Sequence, residues 1–186
     1  MKKLLLASAI LLLAACTHEN QKMKFDITID REKSDFSNVG AISILAFDER
    51  SQKEIIGNKT FGIEKVTISS RDNLAELLRE KIGENLAQKG FRQGLDKTVE
   101  IHLESVQYKA VRKFFIGTSE ADSAIKVIVK NNKTGEKFTK NFALSVKGKH
   151  FLAPLESTDQ ETINTILRDT VLDILNDKSF LKSLAK

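Results

Sequence analysis

The sequence predicts an α+β domain in two layers: a largely antiparallel sheet with two main amphipathic helices packed on one face, plus a short C-terminal helix. Three observations carry this. The segments run in the order strands, helix, three strands, helix. Each long helical segment bears one apolar stripe, which must be buried against a second layer. The strands after the first helix are joined by short loops, which favours antiparallel pairing.

The elements follow in chain order. Residues 1–15 read as a leader: Lys2 and Lys3 are followed by an apolar run from Leu4 to Leu13 and by the small residues Ala14 and Ala15. A bilayer-spanning helix needs about 20 apolar residues, so this shorter run has the form of an export signal. Residues 16–24 are polar and without periodicity and predict a tether. The eight residues from Thr17 to Lys24 reach less than about 30 Å. Residues 25–186 then form a single domain. Phe25, Ile27 and Ile29 alternate as in a half-buried strand. Val39 to Phe47 is apolar on both parities, the pattern of a central strand covered on both faces. Asp48-Glu49-Arg50-Ser51 predicts a polar loop, Gly57-Asn58 a turn, and Ile63 to Ile68 a short strand.

Leu74, Leu77, Leu78, Ile82 and Leu86 share one face of a helix. Ser69 or Ser70 is its expected N-cap, Asp72 suits the first turn, and Gly90-Phe91 is a glycine stop with an apolar residue folding back. Val99, Ile101 and Leu103 alternate, and then the apolar parity switches to Val106, Tyr108 and Ala110; a bulge near Glu104-Ser105 accounts for the switch. Ile125, Val127 and Val129 form a further strand, and Asn132-Lys133-Thr134-Gly135 a hairpin loop. The return strand puts Phe138, Phe142, Leu144 and Val146 on one side. Thr158 and Glu161 form a capping-box pattern, opening a helix with Ile163, Ile166, Leu167, Val171, Ile174 and Leu175 on one face. Phe180, Leu181 and Leu184 predict a last short helix folded back on the domain.

Composition narrows the function. Of 186 residues, 41% are hydrophobic and 30% charged, enough apolar material for a core and too much for a disordered chain. The formal charge of +5 becomes +3 once Lys2 and Lys3 leave with the leader. The lysines are scattered rather than striped, which argues against nucleic acid. A single cysteine excludes a disulfide framework, and its place behind the leader marks it as an attachment point.

Leu13-Ala14-Ala15-Cys16 resembles the lipobox of bacterial lipoprotein precursors. That resemblance implies a diacylglyceryl thioether on Cys16, cleavage before it, and fatty acylation (palmitate) of the new amino terminus. Thr17 stands where an aspartate would favour inner-membrane retention in enteric-type sorting, which implies the outer membrane with the domain facing the periplasm. Further motifs are the strand end Asp48-Glu49-Arg50 with Gly57 after it, and Ser70-Arg71-Asp72-Asn73-Leu74 opening a helix that stops at Lys89-Gly90-Phe91. Ala124 to Lys130, Gly135 and Thr139-Lys140-Asn141-Phe142 complete the order. Over nearly the whole chain it is similar to the YajG family of bacterial lipoproteins. The resemblance implies an outer-membrane-associated lipoprotein and supplies no catalytic residues; Cys16 alone carries over.

Chemistry is sparse. His18, His102 and His150 have no metal-ligand spacing, and no nucleophile elbow, phosphate loop or dinucleotide fingerprint is present. Asp48, Glu49 and Arg50 read as a strand-end site or an ion-paired turn. Glu100 and Glu104, in parity with His102, read as a cation site or as charges on a wet sheet face. Lys126 and Lys130 fit solvent-facing positions. The expectation is no cofactor, no metal and no enzyme, but a lipid-anchored envelope lipoprotein that supports another envelope protein. The alternative is a periplasmic module holding a small ligand, lipid or glycan fragment between helices and sheet, although one tyrosine and no tryptophan offer little for glycan stacking. Arg112, Lys113, Phe114 and Phe115 are the candidate docking segment, at a strand's end before a turn. Basic and aromatic residues together suit a protein partner or anionic headgroups. Adjacent phenylalanines ordinarily bury at least one ring, so one closing the core and one exposed is expected.

Overall fold

A computed structural model describes residues 20–29, 36, 39–151 and 154–185. The leader, Cys16 and His18 lie outside the described residues. Seven strands form one sheet: β1 (Gln21–Met23), β2 (Ile42–Asp48), β3 (Ile55–Phe61), β4 (Glu64–Ser70), β5 (Lys97–Lys113), β6 (Ile116–Asn131) and β7 (Lys137–Phe151). Three helices accompany it among the described residues: α1 (Leu74–Gln88), α2 (Glu156–Asn176) and α3 (Lys178–Ala185). The sheet order is β1-β4-β3-β5-β6-β7, with β2 beside the first half of β5 and β3 beside its second half. The β5-β6-β7 meander and the β3/β4 pair are antiparallel, whereas β1/β4, β2/β5 and β3/β5 are parallel. The fold is the expected two-layer α+β arrangement, with α1 packed on β2 and β5 and α2 on β6 and β7.

Strand β5 explains the register. Val99, Ile101 and Leu103 face the helices, the ladder slips between Leu103 and Ser105, and Val106, Tyr108 and Ala110 then take over the same face. The bulge expected from the parity switch is therefore present, and it keeps 17 residues of one strand pointed into one core. Helix α1 stops as expected: Gly90 takes φ 100°, while its N–H donates to the Ala87 carbonyl and that of Phe91 to the Leu86 carbonyl, both at 3.0 Å. Its N-cap is Asn73, whose side-chain oxygen accepts the Glu76 N–H at 3.2 Å, and not Ser69 or Ser70. Ser70 ends β4, and Asp72 accepts the Phe25 N–H at 2.8 Å.

Other expectations are corrected. The sheet begins at Gln21, inside the stretch 16–24 expected as tether, and Met23 is buried. Phe25 and Ile27 are buried but lie outside the sheet, in a segment bonded to the Asp72 and Asn164 side chains. Strand β2 is covered on one face only: among the strands it pairs with β5 alone, and Leu45 and Phe47 stay 46% and 42% exposed. Gly57-Asn58 is no turn but part of β3, where a Cβ on Gly57 would sit 1.7 Å from the Tyr108 carbonyl oxygen. Here glycine permits close backbone approach, and the chain turns at Gly62-Ile63 instead. Helix α2 starts at Glu156 with Leu155 at its N-cap, so Thr158 and Glu161 form no capping box. Strand β6 runs nine residues further back than Ile125, to Ile116. Its first half buries Gly117, Ser119, Ala121 and Ser123, small residues that counting apolar side chains overlooks. Helix α3 folds back as expected, burying Phe180 and Leu184.

Candidate functional site

Three regions carry polar or exposed chemistry. The first is buried. Lys59 on β3 forms an ion pair with Asp159 on α2, and its Nζ donates to the Pro154 carbonyl at 2.6 Å. The Tyr108 hydroxyl donates to Asp159 Oδ1 at 2.5 Å. Burial pushes the Asp159 carboxyl up from its ordinary range, against the pull of Lys59 and Tyr108. Burial, with Asp159 beside it, likewise pushes the Tyr108 phenol up. Ser119 Oγ lies 2.7 Å from His150 Nε2, within nucleophile–base reach. Ser119 and Asp159 are nevertheless sealed in the core, and Asp159 spends its oxygens on Lys59 and Tyr108. The group fastens the start of α2 to the sheet. Sequence reasoning missed it because lysine and aspartate at such positions read as surface charges.

The second region is the sheet face opposite the helices. Phe47 stacks on His102 with ring centroids 4.9 Å apart. His102 Nδ1 lies 2.6 Å from Glu49, Lys126 bridges Glu104 at 2.8 Å and Glu49 at 3.5 Å, and Lys130 pairs with Glu100. The His102 hydrogen bond draws the Glu49 carboxyl down, and Lys130 does the same for Glu100. Glu100, Glu104 and His102 are thus on one face as expected, but the two glutamates pair with lysines and His102 with Glu49. Among the described residues no group of acids, histidines and cysteines is arranged to hold a metal ion. Asp48 and Arg50 form a closed pair at 2.7 Å, with Arg50 also donating to the Lys53 carbonyl at 2.5 Å. Asp48 and Arg50 thus make an enclosed ion-paired turn, while Glu49 between them joins His102 and Lys126 on the open face.

The third region is the docking segment. Lys113 pairs with Ile116, so Phe114 and Phe115 are the two-residue loop of the β5–β6 hairpin. The expectation of one buried ring is overturned: Phe114 is 91% and Phe115 69% exposed. Phe114 also takes φ 54°, a left-handed conformation that favours glycine or asparagine and is rare for a bulky residue. The strand directions gather more apolar groups at the same end of the sheet. Ile116 pairs with Phe151 at the end of β7, Ile63 tips the β3–β4 hairpin beside β5, and Leu155 begins α2; all four are exposed. Among the described residues, no second layer covers these side chains at the hairpin tips and strand end.

Comparisons with known proteins agree with this architecture. A family model described as "Uncharacterized lipoprotein" matches residues 20–185. The "Uncharacterized lipoprotein YajG" of Escherichia coli K12 is 25% identical over 183 residues, covering 96% of this chain and 95% of the relative; the same holds for the YajG of the O6:H1 strain CFT073. In fold, the chain resembles the crystal structure of protein XCC0632 from Xanthomonas campestris, with a TM-score of 0.58 and 8% identity over 88% of this chain and 95% of that one. A second crystal structure, of an uncharacterized protein, aligns with a TM-score of 0.53 and 9% identity over 84% and 97% of the two chains. A match spanning the whole described domain places the chain in one family: it belongs to the uncharacterized bacterial lipoproteins of the YajG type.

Proposed function

We propose that the protein is a non-catalytic lipoprotein of the outer membrane, anchored through acylated Cys16, that serves as an interaction or scaffolding accessory for another envelope protein on the periplasmic side. The observation that carries this is the uncovered sheet face, where Leu45 and Phe47 stand half-exposed on an edge strand amid charges already paired with one another. Paired charges are less costly to bury than free ones, and half-exposed apolar groups rimmed by charge are typical of protein interfaces. A ligand held between helices and sheet is less well supported. Leu78, Ile82, Ile101, Ile125, Ile166 and Val171 are fully buried and fill that interlayer.

A photo-crosslinking residue in place of Phe47 in intact cells tests the interaction. A discrete adduct is expected, absent when the same residue replaces Glu84, exposed on α1 in the opposite layer. No adduct at Phe47, or equal labelling at both, would overturn the assignment. The mass of the mature N-terminal peptide separately reads acylation of Cys16.

A further inference from the structure

The apolar end of the sheet is the end from which the chain enters β1. Strand β1 is parallel to β4, with Gln21 beside Ile68 and Met23 beside Ser70. Asn20 continues toward the tips, its side-chain oxygen accepting the Thr67 N–H at 3.1 Å. From Ile68 back to Glu64, where β4 begins, is about 13 Å at the rise of a strand. Cys16 precedes Gln21 by five residues, a contour of at most about 18 Å. Glu64 is level with Phe61, and Phe61 with Arg112, so the Phe114-Phe115 loop projects about 6 Å beyond Glu64. Even fully extended, this length reaches about the level of the hairpin tips and no further.

We propose that the sheet end formed by Phe114, Phe115, Ile116, Ile63 and Phe151 inserts into the headgroup layer of the bilayer that holds Cys16. It thereby stands the domain upright on the membrane and leaves the open sheet face free for a partner. The proposal rests on the reading of Cys16 as the lipid anchor. Two further features fit it. Lys65, Arg112, Lys113 and Lys149 are exposed behind the apolar tips, against the acids Glu64 and Glu156, where their stems can lie along the acyl boundary and their charges reach lipid phosphates. The strained φ of Phe114 keeps an aromatic ring where the turn itself favours asparagine or glycine, as expected where an exposed ring has a use.

The test uses the mature acylated protein reconstituted into phosphatidylethanolamine–phosphatidylglycerol vesicles. Thioether-blocked Cys16 leaves a newly introduced cysteine as the one reactive thiol. An environment-sensitive fluorophore on Phe115→Cys should shift to the blue and lose most of its emission to nitroxide-labelled phospholipids. The same probe on Leu95→Cys, exposed at the far end of β5, should show neither change. Adding Phe114→Asn to the Phe115→Cys protein should abolish most of the quenching with the melting temperature unchanged or raised. Water-like emission at 115 in acylated protein, or equal quenching at 95 and 115, overturns the proposal. A blue shift in native envelopes but not in pure lipid overturns it too, in favour of a protein partner at the tips. Acylation is read by mass on the same sample. An unmodified Cys16 refutes the anchor alone, and an unquenched probe on acylated protein refutes the insertion alone.

Discussion

Two charged networks, one buried and one on the open sheet face, use similar groups and differ in what surrounds them. Lys59, Asp159 and Tyr108 sit beneath α2 with almost no exposure. Glu49, His102, Lys126 and Glu104 lie on the open face, in reach of water. In the first, each group depends on the others for its solvation, so the ion pair specifies where α2 docks against β3. In the second, water and salt can replace any partner, so the pairs arrange a surface without holding the fold.

The contrast breaks most sharply at Asp159. Asp159→Ala leaves Lys59 charged and unpaired in the core and should destabilise the domain by about 3–5 kcal/mol in urea unfolding. Replacing both partners, Lys59→Met with Asp159→Leu, should recover much of that loss, because two apolar groups need no mutual solvation. A double variant as unstable as Asp159→Ala would mean that Pro154 and Tyr108, rather than the ion pair, dominate the site.

An intermediate case is Asp177, which caps α3 through the Phe180 N–H at 2.8 Å and pairs with Lys140 at 2.5 Å. Partial burial pushes its carboxyl up, but Lys140, Ser179 and the Phe180 N–H outweigh this and bring it down to about 2. A carboxyl depressed in the folded state stabilises above its unfolded value, near 3.8, and that stability is lost as pH falls toward 2. Solvent around the half-exposed lysine reduces the effect to about 1 kcal/mol. Asp177→Asn keeps the cap and removes the charge. Its stability should lie below the parent's at neutral pH and converge with it between about pH 4 and pH 2, as thermal melts across that range would show. Parallel curves would assign the contribution to the cap.

The smallest effect is expected on the open face. Lys126→Gln removes the bridge between Glu49 and Glu104 and should leave the melting temperature unchanged at high salt, with at most a slight loss at low salt. A loss that persists at high salt would place this network with the buried one.

Periodicity alone located most of the framework. The stripe of α1, its Gly90-Phe91 stop, the bulge near Ser105 and the β6–β7 hairpin all follow from patterns within a few residues, because such patterns are set by local backbone geometry. The reading of Cys16 as lipid anchor rests on the leader and lipobox beside it, outside the described residues. Elsewhere local pattern was insufficient. Val39 to Phe47 has the composition of a central strand, yet β2 pairs with β5 alone and leaves Phe47 on the open face. Thr158 and Glu161 match a capping box that α2 does not use, since the helix starts two residues before Thr158, at Glu156. The first half of β6 carries serines and alanines whose burial depends on the approach of α2; Ser123, for instance, bonds Thr170.

Arg112, Lys113, Phe114 and Phe115 were recognisable as a basic–aromatic segment, but not the exposure of both rings, nor the company of Ile63 and Phe151 from strands far away in sequence. Those neighbours, like the Lys59–Asp159 pair spanning 100 residues, exist only once parallel and antiparallel pairings have set which strand ends meet. A local sequence encodes what a segment prefers to bury; the sheet order decides what it is buried against, and at this end it supplies no cover among the described residues.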